Sequence, residues 1–177
     1  MTMISDFLLR DGSHDEYAST LEMNPLTDRD ALLEAQILDI RLDALTRMVG
    51  VIFDLRQALQ LRQGNTGLLV GRGVRAAAWT GSARDTALTA WTVGGSVPKV
   101  RNRGFTLDLA MWPAPGARLE LTAESAAFFT GDAPGLGEAP PDLDVNDRRM
   151  ISDGLAGWGS PFEPVAAAFV APARGAA

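Results

Sequence analysis

The strongest constraint on this chain is a two-residue apolar period that recurs in short runs. In Phe105-Thr106-Leu107-Asp108-Leu109-Ala110-Met111 every second residue is large and apolar, and Leu119-Glu120-Leu121-Thr122-Ala123 repeats the pattern after the turn Pro113-Ala114-Pro115-Gly116. Side chains alternate between the two faces of a strand, so each run reads as a strand with one face in a core and the other in water. Leu38, Ile40 and Leu42 alternate with Asp39, Arg41 and Asp43 in the same way. Val49, Val51, Phe53 and Leu55 follow after the connection Ala44-Leu45-Thr46-Arg47, which predicts an antiparallel hairpin.

The remaining segments extend this pattern. After the turn signal Gly64-Asn65-Thr66-Gly67, Leu68-Leu69-Val70 opens a third strand. Gly71 and Gly73 predict a bulge or bend in it, with extended chain from Val74 to Trp79. Thr86 to Val93 suits a fourth strand. Val97-Pro98 and the basic Lys99 to Gly104 read as a loop before the fifth, and the sixth has a continuation toward Phe129. Thr27 or Asp28 is placed to cap a helical turn before Leu32, and Asn146 or Asp147 to cap a short helix ending near Gly154. The tail from Trp158 to Phe169 sets large apolar residues between prolines and is expected to dock on the body.

The resulting expectation is one domain over residues 1–177, mainly β (a β-rich α+β chain). It is an antiparallel sandwich or open barrel of about six to eight strands with one or two short helices. Residues 1–30 form an N-terminal arm, 33–131 the β core, and 132–169 a loop, a short helix and the docked tail.

Residue content excludes several chemistries. With no cysteine, disulfides and thiolate metal sites are ruled out. The single histidine, His14, lies in the arm, a poor setting for a catalytic triad. Gly64-Asn65-Thr66-Gly67, Gly71-Arg72-Gly73 and Gly94-Gly95-Ser96 lack the Lys-Ser or Lys-Thr of a phosphate loop. Asp39, Asp43, Asp54, Asp108, Glu120 and Glu124 fall on strand faces, where alternating carboxylates read as a solvated surface rather than a converging glycosidase pair. Asp142 to Asp147 lacks the glycine and terminal glutamate of a calcium loop. No catalytic residue, cofactor or metal is therefore assigned. The first residues show no secretory signal, and no apolar run is long enough for a membrane helix, which leaves the cytoplasm as the expected location and no membrane partner.

Charge is unevenly spread along a chain of net charge −6. Residues 1–40 sum to −7, residues 41–103 to +7, and residues 104–177 to −6. Separate charged patches steer partners. The acidic balance and a pI near 4.7 argue against nucleic acid, although Arg72, Arg75, Arg84 and Lys99 to Arg103 are basic.

The strand pattern resembles that of small bacterial immunity proteins of polymorphic toxin systems. The resemblance rests on Leu33 to Asp43 followed by Val49 to Arg56, on Gly73-Val74 leading to Trp79, and on Leu119 to Glu124 with Phe128-Phe129-Thr130-Gly131. It covers residues 33–131 and implies a non-enzymatic protein that binds and blocks a secreted toxin domain. It assigns no individual residue.

Three roles follow. The first is a protein-binding domain for a basic partner such as a toxin, using Asp142, Asp144 and Asp147 with the polar strand faces. The second is a small-molecule-binding domain or a carboxylate-dependent enzyme, with a pocket between sheets near Trp91 and Trp112. The third is an assembly subunit or homo-oligomer anchored by Trp158 and Phe162.

Overall fold

The alternating runs pair as neighbours. β1 (Gln36–Asp43) and β2 (Met48–Asp54) form the expected antiparallel hairpin. β6 (Gly104–Trp112) and β7 (Ala117–Ala123) form another, with Leu107 opposite Leu121 and Leu109 opposite Leu119. In the computed structural model, which describes residues 2–9, 21–81, 88–101 and 104–172, these belong to one open, wholly antiparallel sheet of nine strands. The others are β3 (Thr66–Arg72), β4 (Ala76–Thr80), β5 (Trp91–Arg101), β8 (Ser125–Asp132) and β9 (Glu163–Val170). The order across the sheet is β4-β7-β6-β5-β1-β2-β3-β8-β9. Two short helices, α1 (Asp6–Leu9) and α2 (Arg148–Asp153), lie outside it.

The sheet folds over on itself because two pairs of strands are continuous around a corner. β3 passes into β4 through Gly73, and β7 into β8 through Glu124. These two bent strands lie side by side: β3 pairs with β8, and β4 with β7. At the corner the Glu124 N–H donates to the Arg72 carbonyl and the Arg75 N–H to the Thr122 carbonyl. Gly73 makes the turn possible, since its φ is +62° and a Cβ there would lie 2.6 Å from the Glu124 side chain. One layer is β4, β7, β6 and β5; the other is β1, β2, β3, β8 and β9. Strands that switch layers through a bend make the corners of such sandwiches.

Two apolar clusters result. Between the layers, Val49, Val51, Phe53, Leu69 and Phe128 meet Phe105, Leu107, Leu109, Leu119 and Leu121. On the outer side of the five-stranded layer, Ile52, Leu68, Val70 and Phe129 are covered by Ile4, Phe7, Leu8 and Phe162.

Several local expectations are corrected. The segment from Val97 is not a loop, because β5 runs through Pro98, which stands opposite Leu107. The Ser96 N–H points away from β6 and donates to the Asp30 side chain. Two residues on, Pro98 faces the same way, so its missing N–H removes no bond to β6. Gly71 makes no bulge; it is in register with Val49 and Ala126, and the bend falls at Gly73. Register shifts fall instead in β1 between Ile37 and Asp39, in β5 between Val93 and Gly95, and in the β8–β9 pairing between Thr130 and Gly131. The first is a bulge at Leu38. It turns Ile37 and Ile40 to the interior and Leu38 to the outer cluster, and leaves Leu42 56% exposed. Val74 to Trp79 does not prolong the third strand within its layer, and the sixth run divides at Glu124.

No helix forms at Thr27 or Asp28. Asn24 organises a turn there, its side chain accepting from the Leu26 N–H and its carbonyl from the Thr27 and Asp28 N–H groups. The helix at the other end is as expected: the Asp147 carboxylate caps α2 by accepting from the Met150 N–H at 2.8 Å, and Gly154 ends it. The docked tail is a ninth strand. His14, Arg84 and Arg103 lie outside the described residues. Among the described residues no helix is long and apolar enough to cross a membrane.

Candidate functional site

Among the described residues, a cleft of about 930 Å³ lies beside the point where β1 and β5 pair, at Gln36 and Thr92. Gln36 reaches it from the start of β1, Gln57 from the turn after β2, and Pro113 from the turn after β6. Leu88 to Ala90, before β5, line it too, as does the acidic loop with Asp142 and Asp144.

That loop is held from below by Arg56. The guanidinium grips both oxygens of Asp54, with Nε 3.0 Å from Oδ1 and Nη2 2.5 Å from Oδ2. Nη1 donates to the carbonyls of Gly137 and Ala139, and Nη2 to that of Gly154. All five guanidinium donors are thus engaged. Asp54 and Arg56 are almost wholly buried, so this is an internal clamp rather than a solvated pair. It ties the end of β2 to the Gly- and Pro-rich stretch before the acidic loop and to the end of α2. Asp54 is therefore no member of a solvated strand face. The sequence does carry a signal for this: Asp54 and Arg56, two apart at the end of an otherwise apolar strand, share one side of the chain.

Within the loop, Asp142 Oδ1 accepts from the Asp144 N–H, and Asn146 Oδ1 accepts from the Asp142 N–H. Asp142 and Asp144 are both exposed. Asp147 is drawn away as the cap of α2 and does not line the cleft. The structure thus brings two of the three singled-out aspartates together on the wall and assigns the third to the helix.

The tail aromatics are engaged within the chain. Phe162 is 2% exposed and packs edge-on against Phe7 at 5.4 Å. Trp158 donates from Nε1 to Asp39 Oδ2 at 2.7 Å and lies under the Arg41 guanidinium, 4.7 Å from its ring centre. Its ring seats over Gly50, where a Cβ would come within 2.5 Å of it. Trp112 is 60% exposed and covers Gly94 instead of lining a space between the layers, while Trp91 packs edge-on against Trp79 at 5.2 Å.

The other strand carboxylates also have local duties. Asp43 accepts from the Leu45 and Thr46 N–H groups at the hairpin tip, and its hydrogen bonds to Thr46 hold its pKa below the usual carboxylate value. Asp108 pairs with Arg118 across strands, and Glu124 with Arg47 and Arg75. The Asp108 partner raises the Arg118 pKa further. Among the described residues no three His, Cys, Asp or Glu side chains converge as a metal site.

No family model matches the sequence, and neither the curated proteins nor the solved structures contain a significant match to it.

Proposed function

We propose that this chain is a non-enzymatic, cytoplasmic binding protein whose acidic cleft receives a basic segment of a protein partner. The observation that carries the reading is the placement of Asp142 and Asp144 on the wall of the 930 Å³ cleft, on a loop anchored by the buried Arg56 clamp. An anchored acidic wall presents its charge with little ordering cost, and complementary charge raises the encounter rate and selects among partners. Gln36 and Gln57, which also line the cleft, offer amide groups to a partner's main chain. Inhibition of a toxin domain is the specific role that the resemblance over residues 33–131 implies, and a basic segment plugging this cleft is its physical form.

Selection of a random peptide library on the immobilised chain tests the reading. Arg- and Lys-rich sequences should be enriched, and Asp142→Lys with Asp144→Lys should release them at least tenfold. A selected pool with no basic excess, or binding that survives the double reversal, overturns it. For the inhibitory role, co-expression with a toxin domain encoded beside this chain should restore growth, and the same double variant should lose protection.

A second reading has its own support. The cleft volume falls in the range of about 300–1,000 Å³ typical of small-molecule sites, and Leu88, Pro113 and Pro140 give it apolar surface. A metabolite that raises the melting temperature of the chain, with Gln57→Ala removing the effect, would favour this reading.

A further inference from the structure

The fold gathers much of the basic middle of the sequence, residues 41–103, at one end of the molecule. The bend at Gly73 and Glu124 is its centre. Arg47, the last residue of the β1–β2 turn, and Arg75, just before β4, both reach Glu124 Oε1, at 3.8 and 3.5 Å. The Val74 N–H donates to the Arg47 carbonyl, which ties that turn to the bend. Arg72 ends β3 one residue before Gly73. On the other side, Gly104 packs so closely that a Cβ there would lie 2.3 Å from the Ala123 carbonyl oxygen. Gly104 stands opposite Arg101 of β5, with Lys99 two residues back. Arg47, Arg72, Arg75, Lys99 and Arg101 thus surround one bend, against the carboxylates of Asp43 and Glu124.

The acids go to the opposite end. β8 leaves the bend at Ser125 and ends at Asp132, which stands opposite Glu163 of β9. Beyond them lies the loop with Glu138, Asp142 and Asp144. A strand of this length spans about 23 Å, nearly three times the screening length of about 8 Å at physiological salt. A surface that meets the basic end is therefore screened from the acidic one, and a net charge of −6 does not bar an anionic partner.

The basic end also holds apolar side chains in the open. Leu45 crowns the β1–β2 turn and is 98% exposed. Asp43 fixes that turn by accepting from the Leu45 and Thr46 N–H groups. Leu42, at the end of the same hairpin, is exposed as well, and Val100 is 50% exposed between Lys99 and Arg101. Cations interleaved with exposed aliphatic side chains match a surface that is anionic outside and apolar beneath. A nucleic acid rewards aromatic platforms instead.

We propose that this end docks on an anionic phospholipid bilayer. Leu45 and Val100 enter the headgroup layer, and Arg47, Arg75, Lys99 and Arg101 meet the lipid phosphates. Arg47 and Arg75 share a single Glu124 oxygen, which leaves most of their donors for phosphate oxygens. A few aliphatic side chains or a few cations bind weakly alone; together they give a reversible contact. The lack of an apolar run long enough to cross a bilayer does not bear on lying against one. The contact leaves the acidic cleft directed away from the bilayer and stands independently of the partner proposed there.

Co-sedimentation of the full chain with vesicles tests the proposal. The chain should bind phosphatidylcholine vesicles containing about 30 mol % phosphatidylserine, should ignore pure phosphatidylcholine, and should bind less as salt rises. Arg47→Glu with Lys99→Glu should weaken the binding at least tenfold. The absence of cysteine allows a single label. An environment-sensitive fluorophore on Leu45→Cys should shift to the blue with anionic vesicles. One on Val145→Cys, 79% exposed in the acidic loop, should not. Equal binding to neutral vesicles, binding indifferent to the charge reversal, or a Leu45 label that stays in water would overturn the proposal. A chain that ignores the vesicles but binds a single-stranded oligonucleotide through the same side chains would assign this end to nucleic acid instead. Circular dichroism establishes that each variant is folded, and Leu45→Cys, at so exposed a residue, decides the matter if the charge reversal does not fold.

Discussion

Phe53, Leu69, Leu109 and Phe128 pack between the layers from strands that each have a hydrogen-bonded neighbour on both sides. On the outside of the five-stranded layer, Leu68 and Phe129 are covered by Phe7 and Leu8 of the short helix α1 and by Phe162 on the segment leading into β9. Those segments bond chiefly to one another: Ile4 N–H to the Ser160 carbonyl, Ser5 N–H to the Trp158 carbonyl, and Phe162 N–H to the Thr2 carbonyl. The Arg72 side chain donates to the Phe7 carbonyl from the sheet. Both clusters are built of buried residues, yet the interior one can be lost only by unpairing strands. The outer cover is expected to open as a unit with the ladder intact, once its bonds from Trp158 to Asp39 and from Arg72 to the Phe7 carbonyl break. Burial alone therefore does not rank the two; the backbone bonds behind each side chain do.

Truncation separates them most sharply. Phe128→Ala removes a fully buried ring from the interior and is expected to cost about 4 kcal/mol, within the range for buried Phe→Ala. Chemical denaturation should show a lowered midpoint and protection lost from all strands together. Arg56→Ala is next, at about 3 kcal/mol, because it leaves Asp54 buried without its partner. Its effect should be strongest as faster hydrogen exchange around residues 137–154, where the guanidinium holds three carbonyls. Phe7→Ala should cost less than Phe128→Ala, although Phe7 is as buried as Phe128. The loss is capped by the free energy of detaching the cover, so exchange should rise at residues 2–9 and 156–162 and stay unchanged in β6 and β7. Equal costs for the two phenylalanines, with loss of protection throughout in both, would erase the distinction.

The same difference explains what was legible in the sequence. The interior cluster is made by alternation, so Phe105 to Met111, Leu119 to Ala123 and Val49 to Leu55 announce it residue by residue. The helix at Arg148–Asp153 is equally local, since Asp147 and Gly154 mark its ends. The outer cover has no period: Ile4, Phe7 and Phe162 become neighbours only after the chain ends meet. β9 is missed because Glu163 to Val170 is rich in alanine and contains a proline, weak strand signals that pairing with β8 overrides. The bulge in β1 shifts the face of Leu38 without any glycine to mark it. The cleft is the least legible feature, because Gln36, Gln57, Pro113 and Asp142 are far apart in sequence and carry no common pattern. Asp142 and Asp144 stand out by charge alone.

The hairpin tip gives the smallest expected effect and serves as a control on the comparison, because it belongs to neither cluster. Asp43 is half-buried and caps the turn, and its pKa is lowered by its bonds to Thr46. A carboxylate whose folded-state pKa lies below its unfolded value stabilises the fold above the unfolded pKa, and that contribution disappears as pH falls through the folded pKa. Asp43→Asn should therefore lower stability slightly at neutral pH, and the difference from the unaltered chain should shrink on acidification below the ordinary carboxylate range. Melting curves taken down that pH series would show the two converging. Persistence of the full difference in acid would mean that Asp43 acts through its shape in the turn and not through its charge. Since β1 and β2 contribute to both clusters, the loss should fall equally on protection of residues 2–9 and of β6, unlike either phenylalanine variant.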